Sequence, residues 1–568
     1  MPASLRSSWR VLLSCLHERS AALRLSLGLA VVLPLVFKLY TGLIWEDFFI
    51  TYRASENLAQ GHGLVFTPGE RVQGFTSAIN TLLPALVAWV THAADFRVPL
   101  LVYTAVSLAA LLFGVISITS ILAAEPRPEG RHRWLWLLFP VLVVLEIKTT
   151  AFTMSGQEAG FMLCFLAPIF AFAYDGWPRH WALGGICFAG LMYTRPDGFI
   201  YIGAVAGAAL AFSPEPRRPL LVALMRSALL GSVIYLPWLL FTWSYFGSPI
   251  PHTIIAKHQA MPDTYREYGP LAAFVGSFLL LPERLCGTLL AIYDYGNKGG
   301  EGAWPVWTRA FALVAELMAV TYWLVPTRDR LGRMASLVAM LGMAYLSYAS
   351  LVAPSSPGYY PPVAFFSLLA LLRLCMTVPE YFRHARWTVI AAPALAGALL
   401  FFLGFIFTHS LRPLKLKQDA IEWGHRRLIG EWLRDNATPA ETIYIECLGY
   451  VGYFSHRKIH DWPGLVSPEV VRIRREFNLP PYPWGWVRAA EKLRPDWIVA
   501  RVTENELLKH SAALTGGYKL VKVFNASEAI VAAGEFDGRN ITYNDAVFFI
   551  YHRIPPTPPA AAPPPPTE

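Results

Sequence analysis

Apolar runs of roughly 17–25 residues recur along the first two thirds of this chain, each the length a helix needs to cross a hydrocarbon core of about 30 Å. Inside lipid every backbone N–H and C=O must be satisfied within the protein, so runs of this kind are read as packed helices. Composition agrees. Of 568 residues, 55% are hydrophobic, 14% aromatic and 15% charged, with a mean hydropathy of +0.40. The expected fold class is mainly α: a polytopic helical membrane protein of about eleven transmembrane helices with a small C-terminal α/β domain. A formal net charge of +9 without an interleaved basic-aromatic stripe gives no reason to expect a nucleic-acid partner. The six cysteines show neither CxxC nor metal-ligand spacing, so neither a disulfide framework nor a zinc site is read from them.

Charge sets the topology. Short loops rich in Lys and Arg belong on the cytoplasmic side, and those that stand out are the N-terminus, Glu125–Arg133, Asp175–His180, Ser213–Arg218, Pro326–Arg333 and Pro379–Arg386. Residues 76–90 are apolar but too short to span without moving 125–133 outside, so they are read as an interfacial or re-entrant helix. Spans then fall near 25–44, 98–123, 134–152, 158–174, 180–194, 198–213, 220–243, 304–325, 334–353, 360–378 and 387–408. Residues 1–24 are assigned to a cytoplasmic N-terminus, and the first helix to a retained span, its apolar run being too long for a signal peptide. The membrane domain covers 25–409, with external loops at 45–97 and 245–303. An external α/β domain covers 410–554, with strand-like runs at 442–445, 497–501, 518–524 and 546–551. Residues 555–568 are a Pro/Ala tail expected to be disordered.

The acidic pair Glu46-Asp47 follows the first span directly. Two adjacent carboxylates at a bilayer surface are costly to desolvate, which makes them candidates for chemistry; the plain alternative is a hydrated acidic loop. The deduced topology puts further polar groups on the same face: Arg53, His62, Glu70 and Arg71 in the first loop, Glu158, Arg195 beside Asp197, and His252 and Lys257 after the seventh span. Each has an ordinary reading as a loop charge, a local ion pair or a snorkelling lysine. Together they fit an enzyme acting on a lipid-linked substrate, with a carboxylate as base and Arg and Lys neutralising a phosphate leaving group.

The run Glu46-Asp47-Phe48-Phe49-Ile50-Thr51-Tyr52-Arg53, with Gly61-His62-Gly63 and Pro68-Gly69-Glu70-Arg71, resembles the first external loop of bacterial GT-C glycosyltransferases. It is most similar to the branch that includes cell-wall arabinofuranosyltransferases. Ser155-Gly156-Gln157-Glu158, Thr194-Arg195-Pro196-Asp197-Gly198, Tyr245-Phe246-Gly247 through Ala256-Lys257, Gly449-Tyr450-Val451-Gly452-Tyr453-Phe454 and Asp461-Trp462-Pro463-Gly464-Leu465 follow in the same order. The resemblance implies a multi-pass protein of the bacterial inner membrane, with a cytoplasmic N-terminus and a periplasmic C-terminal domain. It implies a polyprenyl-phosphate sugar donor, a glycan, lipid or protein acceptor, and inversion at the sugar carbon. On it, Asp47 or Glu46 is the expected base and Arg195 and Lys257 the phosphate contacts. Arg53, His62, Glu70, Arg71, Glu158, His252, Tyr359 and Tyr360 are expected around the substrate.

Three departures stand out: Glu46 where the family has Asp, His252 where it has Asn, and Tyr359-Tyr360 where it has Arg-Tyr, which removes a phosphate contact. A divalent cation, Mg²⁺ or Mn²⁺, at Glu46 and Asp47 stays open, since other members of the superfamily work without one. Two alternatives accompany this reading. One is a transporter or flippase for a lipid-linked sugar, which would concentrate ionisable groups at mid-membrane. The other is a catalytically silent relative that binds glycan.

Overall fold

The computed structural model describes residues 21–125, 134–258, 269, 271, 275–292, 304–349, 356–381 and 388–555. Most of the N-terminal segment, most of the basic loop 125–133, parts of the second external loop, residues 382–387 and nearly all of the Pro-rich tail lie outside them.

The apolar segments are helices, and the chain is a multi-pass membrane protein. Among the described residues four helices are long and apolar enough to cross a membrane: Ala21–Thr41, Arg97–Ala124, Arg217–Phe246 and Ile390–Asn436. A fifth candidate is the pair Leu135–Leu145 and Ile147–Met154, bent by 56°. Shorter helices at Ala159–Asp175, Trp177–Thr194 and Gly198–Phe212 pack among them. Residues 78–91 form a helix of 14 residues.

Two local features position the site. The first is the bend at Glu146. Its buried carboxylate accepts hydrogen bonds from the Lys148 and Thr149 amides (3.1 and 2.7 Å) and the Thr149 hydroxyl (2.7 Å), starting a new helix in the middle of an apolar run. That helix delivers residues 155–158, where the Ser155 carbonyl accepts a hydrogen bond from the Trp45 amide at 2.9 Å. The second is close packing. A Cβ at Gly160 would lie 2.2 Å from the Ser107 carbonyl oxygen, so helices 159–175 and 97–124 meet at small residues, as helices in lipid do where backbones approach.

Helix Thr388–Leu416 does not stop at the expected boundary near 410. It continues through a π-helical stretch, Lys417–Arg426, into Arg427–Asn436. The C-terminal domain therefore stands on a continuous helical stalk. Its sheet has the order β2-β1-β3-β5-β4, from β1 (Thr442–Ile445), β2 (Lys458–Asp461), β3 (Trp497–Arg501), β4 (Tyr518–Asn525) and β5 (Val547–Arg553). β1 is parallel to β2 and β3; β5 is antiparallel to β3 and β4. Apolar clusters fill both faces: Ile443, Val499 and Phe548 on one, Tyr444, Trp486 and Ile498 on the other.

Gly160→Ala is expected to destabilise by about 1–3 kcal/mol through overpacking. A melting curve in detergent that leaves this variant at the parent temperature contradicts the close approach.

Candidate active site

Helix Glu46–Ala59 starts at an extended Trp45. Successive residues on a helix diverge by about 100°, so the two carboxylates part company at once. Glu46 turns toward the C-terminal domain, where it accepts from Arg426 Nη1 at 2.8 Å and from the Gly449 amide at 3.2 Å. A Cβ at Gly449 would come within 2.4 Å of Glu46 Cγ, so only glycine lets the two segments meet this closely.

Asp47 turns the other way, into a polar cavity of about 90 Å³, several times the ~10–15 Å³ that one water needs. The cavity is walled by Asp47 and Thr51, by Ser77 and Asn80, by Gln157 and Glu158, by Arg195, by Thr253 and Lys257, by Tyr359, and by Leu465 from the C-terminal domain. Seven separate chain segments thus supply one small site.

Its electrostatics are asymmetric. Arg195 is held as a fork on Asp197 (2.9 and 3.0 Å), reaches Glu158 at 2.8 Å, and lies 4.2 Å over the Tyr359 ring. Asp197 also accepts from the Tyr345 hydroxyl at 2.6 Å, and Glu158 accepts from Asn80 Nδ2 at 2.9 Å. Lys257 donates to the Tyr359 phenol oxygen, which Lys257 and then Arg195 hold below its ordinary pKa.

Asp47 differs: no described side chain hydrogen-bonds its carboxylate. Solvent reaches the side chain through the cavity, yet the surrounding protein strips enough water to push its pKa up to about 6. Lys257 pulls the other way, Glu46 and Glu158 add repulsion, and Arg195 offsets part of it.

Of the residues singled out in the sequence, Asp47, Glu158, Arg195, Lys257 and Tyr359 line this cavity. Tyr359, where the family's arginine is absent, brings a phenol between the two cations. The others sit elsewhere. Arg53 is buried and donates to the carbonyls of Phe66, Gly452 and Tyr453 (3.1, 3.3 and 3.1 Å). Glu70 pairs with Lys458, and Arg71 lies 5.0 Å over the Tyr245 ring. His62 is exposed on the loop after the helix. His252 hydrogen-bonds the Gly464 backbone, leaving Nε2 without a described partner. Tyr360 is buried beneath Lys148, 5.5 Å from its ring.

Thr51, Ser77, Asn80, Gln157 and Thr253 were not singled out. Asn80 carried a legible signal, a lone amide inside an apolar run; the others look like ordinary loop and cap residues.

Glu46 and Asp47 do not converge as a pair of ligands. Glu46 spends its carboxylate on Arg426 and Gly449, and among the described residues no three His, Cys, Asp or Glu converge. None of the described cysteines forms a disulfide.

The fold is similar to that of the Archaeoglobus fulgidus oligosaccharyltransferase, solved with a tethered acceptor peptide, at a TM-score of 0.50 and 13% identity over 88% of this chain and 72% of that one. ArnT from Cupriavidus metallidurans, solved with undecaprenyl phosphate, gives a TM-score of 0.49 at 12% identity over 94% and 99%. In sequence the chain is similar to the terminal beta-(1->2)-arabinofuranosyltransferase of Mycobacterium tuberculosis, 27% identical over 325 residues. That match covers 50% of this chain and 48% of the relative, so the chain spans about half the length of the curated protein it matches. Residues 416–549 match a family described as a domain of unknown function, DUF8728. The chain thus resembles the arabinofuranosyltransferase-like branch of GT-C proteins, as its motifs imply.

An Asp whose folded pKa lies above its unfolded value makes folding less favourable once it ionises: stability is highest below pH ~4 and falls as pH rises through about 6. Asp47→Asn is therefore expected to melt higher than the parent at pH 8, with the gap closing toward pH 4. A variant that melts lower at pH 8 contradicts the assignment.

Proposed function

We propose that this chain is a membrane glycosyltransferase that moves a sugar from a polyprenyl-phosphate donor to a hydroxyl of a cell-envelope glycan, lipid or protein, on the extracytoplasmic side of the inner membrane. The observation that carries this reading is the pairing, in one cavity, of an unpartnered carboxylate with elevated basicity and a cation pair, Lys257 and Arg195, bridged by Tyr359. A carboxylate with a pKa near 6 stays ionised at neutral pH and is a stronger base than an ordinary Asp.

In the reaction the acceptor oxygen attacks the anomeric carbon as Asp47 takes its proton, while the bond from that carbon to the phosphate oxygen breaks. Charge grows on the leaving phosphate, where the Lys257 ammonium, the Arg195 guanidinium and the Tyr359 hydroxyl are positioned to receive it. Glu158 and Asp197 hold Arg195 rigid, so little reorganisation is needed as the bond breaks. A single displacement inverts the sugar carbon. No step is routed through a metal.

The transporter alternative expects ionisable groups lining a passage at mid-membrane. Here the buried Glu146 is consumed in capping a helix and in an ion pair with Lys148 at 3.7 Å, which itself donates to the carbonyls of Thr288 and Leu290. Those bonds favour a structural role for the cluster.

With purified protein in nanodiscs and a panel of polyprenyl-phosphate sugars, Asp47→Asn is expected to fold and to lose about 10²–10⁴-fold in transfer, the range for a general base. Lys257→Met is expected to weaken donor use as well. Transfer at the parent rate by Asp47→Asn removes Asp47 as base; no transfer or donor cleavage with any polyprenyl-phosphate sugar removes the donor class.

A further inference from the structure

The helix that carries Asp47 presents a separate face to the external domain. Glu46, Phe49, Arg53 and Glu56 follow at three- and four-residue spacing, the period of one helical face, and every one of them touches residues 426–456. Glu46 meets Arg426 and the Gly449 amide. Phe49 packs on the rings of Tyr450, Tyr453 and Phe454 at 4.5, 5.0 and 5.4 Å. Arg53 donates to the carbonyls of Gly452 and Tyr453, and Glu56 accepts from the Tyr453 hydroxyl at 3.0 Å.

Ile44, two residues before the helix, is gripped as well. The Ile44 amide donates to Gln418 Oε1 at 3.0 Å, and the Ile44 carbonyl accepts from the Tyr450 hydroxyl at 3.0 Å. Arg426 is itself fixed: its guanidinium is buried, meets Glu422 at 3.1 Å and Asp545 at 2.8 Å, and Asp545 is braced in turn by Arg501 at 2.9 Å. All of these partners lie within the 416–549 segment.

We infer that the 416–549 domain, whose family has no assigned function, is a positioning device: through Gln418, Arg426, Gly449 and Tyr450 it holds residues 44–46 and thereby aims the Asp47 carboxylate into the cavity. This rests on the reading of Asp47 as base. The domain's contribution is made one residue away from the reacting atoms, so Arg426 and Tyr450 are positioning residues. The donor-phosphate contacts, Lys257 and Arg195, sit on other segments and are not held by this grip. Loosening it is therefore expected to lower turnover while leaving donor recognition in place.

The test uses the full chain with a polyprenyl-phosphate sugar that the parent accepts. Glu46→Ala removes the anchor but leaves Arg426 its bonds to Glu422 and Asp545, so the domain keeps its support. Tyr450→Phe removes one hydroxyl without changing shape. In Glu46→Ala, kcat is expected to fall on the order of 10²-fold, the scale of a displacement of about 1 Å at a reacting group. In Tyr450→Phe it falls several-fold, and the donor KM stays within about twofold of the parent in both. Glu46→Gln, which keeps hydrogen-bonding capacity toward Arg426, is expected to recover part of the loss. Parent kcat in both Glu46→Ala and Tyr450→Phe overturns the inference, as does a donor KM that rises in step with the fall in kcat. Asp47→Asn measured alongside separates the two levels. If it keeps transfer, the base assignment fails; if it is inactive while the anchor variants keep parent kcat, only the positioning role fails.

Discussion

A rotation of about 100° per residue separates Glu46 from Asp47 at the start of one helix, and the arrangement of the site follows from that divergence. One carboxylate is satisfied by a buried arginine and a backbone amide; the other is left facing a cavity with no hydrogen-bond partner among the described residues. Stripping water from an ionised group without giving it a partner is unfavourable. The fold tolerates it because Glu46, Phe49, Arg53 and Glu56 hold the same helix so firmly against the external domain. Stability is concentrated on one face of the helix and reactivity on another.

The cations in the cavity are constrained differently. Arg195 has Asp197 and Glu158 to fix its plane and Tyr359 beneath it, which suits a group that must receive two phosphate oxygens without moving. Lys257 is a point charge whose described partner is a phenol. That pairing keeps its charge available, since a phenol neutralises an ammonium far less than a carboxylate does. The Glu146 bend belongs to the same design at a distance, because it brings residues 155–158 to the Trp45 amide and so places Glu158 opposite Asp47.

Fold class was legible because it rests on long-period patterns: apolar length for the helices, and short β-rich runs for the sheet. β1 and β3 coincide with the runs read at 442–445 and 497–501. β2 escaped notice because Lys458-Ile459-His460-Asp461 carries one apolar residue, and pairing with β1 rather than local preference makes it a strand. The C-terminal domain's root was also hidden, since Pro413 reads as a breaker near the expected boundary while the helix runs through it and on to 436. At the site, Asp47, Glu158, Arg195 and Lys257 were legible as charges sharing one face. The division of labour between Glu46 and Asp47 was not, because the residue that decides it, Arg426, lies 380 positions away. Arg53 misled for a related reason: a charge beside acids looks like a site residue, but its donors are spent on backbone carbonyls.

The account depends most on Asp47 being the group that takes the proton, and the pH dependence of kcat/KM for sugar transfer by the unmodified protein tests that most directly. Transfer requires the ionised carboxylate, so the profile is predicted to fall on the acid side with a midpoint near the value of about 6 set by the cavity. An acid limb at the ordinary carboxylate value near 4, or a rate that stays flat from pH 4 to pH 8, would contradict it.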